Sequence, residues 1–273
     1  MAFDGYGRRK GVSLLLKGSR TGAGLLLRPV DSVRYFEFPF TLSCLPEIPA
    51  RCLDVSSPRL FSLYVAESNP AAAIRMINPD GQDAAATATL VHKLRLENVE
   101  VSTCSVDALR SERGEYTCIW SISVVEHIAG AYDDREAVRW MYDALMTGGR
   151  LILTLPVDRS FWEEYRHIDH YGTQPDVGAR YFFQRWYDKN AIWERIVGAI
   201  GREPDTVQWF GEIEPGHFAD YERRWMQKGF FATVDDPREI VDHWSTFPSW
   251  ESMPGQGVCG LMFEKRKESE GIA

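Results

Sequence analysis

From residue 51 to 156 the chain alternates short apolar runs with stretches whose apolar residues recur at helical spacing, the pattern of βαβ units around a parallel sheet. "RCLDV" (51–55) reads as the first strand. In the following "PRLFSLYVAE", Pro58 suits a helix start and Leu60, Leu63 and Tyr64 share one face. "AAIRMIN" (72–78) reads as a second strand ending at the turn "NPDGQD", and a helix near 83–96 carries Ala84, Ala88 and Val91 on one stripe. "VEVSTC" (99–104) and "YTCIWSI" (116–122) supply a third and a fourth strand. The next helix, in "DDREAVRWMYDALMTGG", places Val138, Met141, Tyr142 and Leu145 together, with acids at its start and Gly148 and Gly149 past its end. "RLILTLP" (150–156) is a fifth strand stopped by Pro156.

Beyond 156 the text changes. Aromatic residues crowd 157–205 without strand alternation, and Trp186, Asn190, Trp193 and Val197 fall at helical spacing, so a helical, aromatic-rich cap is expected there. "TVQWFGE" (206–212) returns as a strand and "GVCGLMFEK" (257–265) as a closing one. The expected organisation is an N-terminal, partly helical segment (1–50), a core (51–156), a cap (157–205) and a core strand (206–213). A second insertion (214–256), the closing strand (257–267) and a tail (268–273) complete it. "GRRKGVSLLLKGSR" (7–20) reads as a mobile or amphipathic segment.

Composition narrows the function classes. Lys plus Arg number 31 against 39 Asp plus Glu, a net charge of -8, which argues against a broad grip on nucleic acid phosphates. No run approaches the ~18 apolar residues of a membrane span. The five cysteines are scattered, with no paired spacing. A cytoplasmic protein with a small-molecule partner, no nucleic acid and no membrane is expected, with its oligomeric state open.

In an open parallel sheet, ligands bind beyond the carboxyl ends of the strands, near the point where strand order reverses. Three strand ends qualify: Asp54 to Arg59, Asn78 to Asp80, and Ser105 to Asp107 with Ser121 to Ser123 beside it. Asp54 can organise the turn amides, meet a cationic ligand or simply cap the next helix. Asn78 and Asp80 can serve a ligand or form an ordinary Asn-Pro-Asp-Gly turn. His127, just after the fourth strand, can act as a base with Glu126 as its orienting carboxylate, or can merely pack. "RHIDHYG" places His170 and Tyr171 where a lid could touch an acceptor, and His217 is a further crevice candidate. No metal set accompanies these histidines.

Four segments in order, "CLDVSSPRLFSLYVA", "SVDAL", "WSISVVEHI" and "MTGGRLILTLP", resemble the motifs of the class I S-adenosylmethionine-dependent methyltransferases over residues 34–156. The resemblance implies a Rossmann-like, doubly wound α/β fold with a mostly parallel sheet and an antiparallel closing strand. It also implies S-adenosyl-L-methionine as cofactor and S-adenosyl-L-homocysteine as product. Asp54, Ser56, Ser57 and Pro58 would face the methionine part, Asn78 or Asp80 the ribose, Val106 and Asp107 the adenine, and Ser121 and Ile122 the α-amino group. His127 and Glu126 would be catalytic, and His170, Tyr171 and His217 would meet the acceptor. Methyl transfer to an oxygen, before a nitrogen, of a sugar or natural-product intermediate is the implied activity. The chain departs from the family in two places: Ser56, Ser57 and Pro58 stand where glycines usually do, and the acid that closes the second strand falls on Met76. A methyltransferase-like binding or assembly subunit without catalysis is the alternative.

Overall fold

The computed structural model describes residues 2–30, 32–169, 177–228 and 239–267. Strands β1 (Arg51–Val55), β2 (Ala73–Asn78), β3 (Val99–Thr103), β4 (Tyr116–Ile122) and β5 (Leu145–Val157) are parallel neighbours in the order β3-β2-β1-β4-β5. A hairpin of β6 (Trp162–Arg166) and β7 (Tyr181–Trp186) follows, then β8 (Thr206–Glu212), β9 (Trp244–Phe247) and β10 (Gly257–Glu264). β10 lies antiparallel between β5 and β8, and β9 pairs antiparallel with the outer edge of β8, completing a sheet of eight strands. Strand order reverses between β1 and β4, which places the crevice at the ends of those two strands.

Both faces are covered, so the central strands are apolar on either side. On one face Cys52, Ile74, Cys118 and Trp120 pack against Phe38 of helix α3 (Arg34–Cys44) and Phe61 and Leu63 of α4 (Arg59–Ser68). On the other, Leu53, Ile119, Leu151 and Leu153 meet Ala137, Val138 and Met141 of α6 (Asp134–Ala144). Asp133 starts α6 with a capping box completed by Glu136. Helix α5 (Gly81–Leu94) starts from Asp80, whose side chain accepts the N–H groups of Gln82 and Asp83.

Two expectations change. The N-terminal segment is not loose: α1 (Ala2–Leu16) and α2 (Thr21–Leu27) pack backbone to backbone, and α1 buries Phe3, Tyr6 and Leu14 in the core. A Cβ added at Gly22 would lie 2.5 Å from the carbonyl oxygen of Gly11, so the close approach requires a glycine there. The aromatic stretch after 156 is not helical throughout. Residues 181–186 form a strand, and the helical segment begins only at Lys189, where the Asp188 side chain accepts the Ala191 N–H at 2.7 Å; its middle, Ile192–Val197, is π-wound.

Candidate functional site

At the end of β1 the chain turns without glycine by holding Ser56 in the left-handed region, φ +54°. An L-residue there costs about 1–2 kcal/mol. The turn recovers part of this through two hydrogen bonds from Ser56, backbone N–H and hydroxyl, to the Ile77 carbonyl at 2.9 and 3.1 Å. Asp54 is fully buried and borders the crevice only at a narrow slit. Its alternating position puts it on the same sheet face as Cys52, where one oxygen accepts the Ser57 N–H at 2.8 Å and the other the Ser62 hydroxyl. Ser62 Oγ in turn accepts the Trp120 indole N–H at 3.0 Å. Burial raises the Asp54 carboxyl to about 6 against the lowering pull of those serine hydrogen bonds. The Ser57 hydroxyl accepts the Ile122 N–H at 3.0 Å and so ties the turn to the end of β4. Pro58 is the N-cap of α4.

The end of β2 falls where the sequence reading put it. The strand closes at Asn78, and Met76 is buried two residues earlier, paired with Asp54. Met76 and Asn78 both border the slit there, so the crevice meets a thioether as well as an amide. Asn78 Oδ1 accepts the Asp80 N–H at 2.9 Å and Nδ2 donates to Asp83 at 2.9 Å, while Arg59 closes an ion pair on the same Asp83. Asp80 is spent as the α5 cap. Between this turn, β2 and α5 remains a slit of about 10 Å³, the room of one water. After β3, Val106 is buried and Asp107 is half-buried, with no hydrogen bond among the described residues. Ser121 is buried at the end of β4, its hydroxyl 3.5 Å from the Val55 carbonyl.

The roomy part of the crevice lies on the other side of β4. A cavity of about 510 Å³ opens at the ends of β4 and β5, walled by Arg28, Ser32 to Arg34, Ser123, Glu126, His127, the β6–β7 hairpin, helix α7 (His217–Lys228) and Trp244. His127 and Glu126 line it. The Phe183 carbonyl can only accept, so His127 donates to it from Nδ1 at 2.6 Å and the neutral ring carries its lone pair on Nε2. Burial pulls the imidazole down to about 4, which keeps it neutral at physiological pH. Glu126 is 1% exposed, its Oε2 has no hydrogen-bond partner among the described residues, and its Oε1 stands 3.8 Å from His127 Nε2, beyond a hydrogen bond. Burial, reinforced by nearby Glu37, holds this carboxyl well above the usual range.

Several lining residues carried no signal that the sequence reading used. Behind the lining residues Arg34 and Ser123 lies Glu37, fully buried in the apolar helix α3 and bound to Arg34 and to the hydroxyls of Ser123 and Thr154, the latter at 2.8 Å. A lone acid inside "YFEFPF" is the signal that could have found it. Arg166, Phe183 and Glu222 come from segments brought together only by the fold. His217 does not line the cavity; it stacks on His243 with ring centroids 3.8 Å apart. His170 and Tyr171 lie outside the described residues.

No protein-family model matches the sequence, and no curated protein matches it. Solved structures do match in shape. The [4+2]-cyclase SpnF superposes with a TM-score of 0.53 at 16% identity, over 84% of this chain and 79% of that one. Geranyl diphosphate C-methyltransferase from Streptomyces coelicolor A3(2), solved with S-adenosyl-L-homocysteine, gives 0.52 at 12% identity over 84% and 76%. The fold is that of the class I methyltransferases. Coclaurine N-methyltransferase bound to N-methylheliamine and SAH adds a third match, 0.52 at 12% over 83% and 69%. A cyclase and two methyltransferases share this methyltransferase fold, so the reaction must be argued from the site.

Proposed function

We propose that this chain transfers a methyl group from S-adenosylmethionine to a small-molecule acceptor held in the cavity beside His127. The observation that carries the reading is the position of that cavity. About 510 Å³ of space opens beside the reversal of strand order, and a histidine with a fixed tautomer stands on its wall.

The donor set at the strand ends fits the cofactor in its chemistry. Asp107 carries a carboxylate that no other described residue engages, beside buried Val106; this suits an exocyclic amine and the face of a purine. Asn78 offers ribose hydroxyls a group that donates and accepts. The Ser56–Pro58 turn and the end of β4 at Ser121 and Ile122 adjoin across the Ser57 hydroxyl and suit the amino-acid part. The cofactor supplies a methyl group already activated on a positively charged sulfur, so the protein's own share is alignment and exclusion of water. Phe183, Trp186, Phe218 and Trp244 give the acceptor side an apolar wall, and His127 Nε2 is the atom able to take a proton there.

A second reading, ligand binding without transfer, is favoured by one observation: both ends of the Asn78 amide are already engaged, by Asp80 and Asp83. Calorimetric titration with S-adenosylmethionine and S-adenosylhomocysteine separates the two. Saturable heat in the wild type, weakened about tenfold in Asp107→Ala by loss of one charge-assisted hydrogen bond, is expected for a transferase. No heat with either compound overturns the transferase reading and leaves the second.

A further inference from the structure

We propose that the acceptor cavity selects a cationic amine with an aromatic or alkyl body. This rests on reading the cavity as the acceptor site.

The charged groups that line the cavity differ in whether they already have partners. Arg34 holds buried Glu37 and donates to Ser123 Oγ at 3.0 Å. Arg166 is paired with Glu164 at 2.6 Å and lies over the Phe183 ring, 3.3 Å from its centroid. Arg28 reaches the Tyr221 hydroxyl at 3.4 Å. The acids that line the cavity are in the opposite condition. Glu126 is nine-tenths buried and more, with an oxygen that no described residue satisfies. Glu222, on α7, also lines the cavity and makes no hydrogen bond or ion pair among the described residues. Burial and neighbouring Glu164 raise its carboxyl to about 7.

A buried carboxyl without a donor costs free energy in the empty protein, and a ligand that supplies the donor recovers it. A hydroxyl compound would supply one hydrogen bond but no charge. An ammonium group supplies several N–H donors and a positive charge that favours the ionised carboxylate. The aromatic walls point the same way, because Trp186, Trp244 and Phe218 present ring surface of the kind that attracts cations. An anionic ligand would compete with Glu37 and Glu164 for the Arg34 and Arg166 guanidinium groups that they already hold.

The test uses the full chain and three probes of one shape: 2-phenylethylamine, 2-phenylethanol and phenylacetate, titrated calorimetrically at pH 8. The amine is expected to bind saturably, at least about tenfold more tightly than the alcohol. Phenylacetate should give no saturable heat. Glu126→Gln, close in shape, should weaken the amine at least about tenfold and Glu222→Gln severalfold, with far-ultraviolet circular dichroism unchanged. Equal or tighter binding of the alcohol or the acid overturns the inference. So does undiminished amine binding in the double variant, or no binding of any probe. Amine binding in a protein that gives no heat with S-adenosylmethionine would sink the transferase reading and leave this one standing.

Discussion

The two sides of β4 treat their polar atoms in opposite ways. On the β1 side, Asp54, Ser57, Ser62 and the Trp120 indole satisfy one another in a closed chain, and Asn78, Asp80 and Asp83 do the same around the start of α5. On the β5 side, Glu126 keeps a buried oxygen without a partner beside a cavity large enough for a ligand. The contrast teaches that acidic residues at strand ends are not equivalent. A buried acid with every oxygen engaged builds the turn, whereas one left unengaged on a cavity wall is prepared for something that arrives.

The sharpest way to break this comparison is at Asp54. Asp54→Ala should cost about 3 kcal/mol in urea unfolding, because it orphans the Ser57 N–H and the Ser62 hydroxyl inside the core. A loss under about 1 kcal/mol would deny the carboxylate its role in the turn. Ser57→Ala should cost about 1–2 kcal/mol by the same measurement, since it leaves the Ile122 N–H without an acceptor.

On the β5 side the expected effect appears in the pH dependence of stability. Glu222 is raised from 4.5 to about 7, so the folded chain holds a proton that the unfolded chain has released. Its contribution is full below about 4.5 and is lost as pH rises through about 7. His127, lowered from 6.5 to about 4, acts oppositely and loses stability only as pH falls across that interval. The thermal midpoint should therefore decline between pH 6.5 and 8 through the carboxyls, and Glu222→Gln should flatten the decline. An undiminished decline in that variant would remove Glu222 as its source. The smallest effect is expected for Ser56→Gly. Relief of the left-handed strain is offset by the lost hydroxyl bond to Ile77 and a freer unfolded chain, so stability should move by under about 1 kcal/mol.

Much of the fold was legible because a parallel sheet buried on both faces leaves an unmistakable record: short apolar runs separated by helical stripes. The same fact should have placed Asp54 inward, since alternation within "RCLDV" puts it on the covered face with Cys52. The hairpin was hidden because Trp186, Asn190, Trp193 and Val197 keep a helical period straight across the junction between a strand and a helix. Only Asp188, a good cap, marks the break. The cavity left no local trace at all. Its walls come from segments scattered between residues 28 and 258, and no spacing rule relates an arginine before α3 to a phenylalanine in β7.

The hydrogen bond from His127 to Phe183 ties an imidazole at the strand ends to a hairpin outside the main sheet. The wall of the vestibule thereby dictates which ring nitrogen is protonated. Hairpin position and imidazole tautomer are coupled through a single contact between a side chain and a carbonyl.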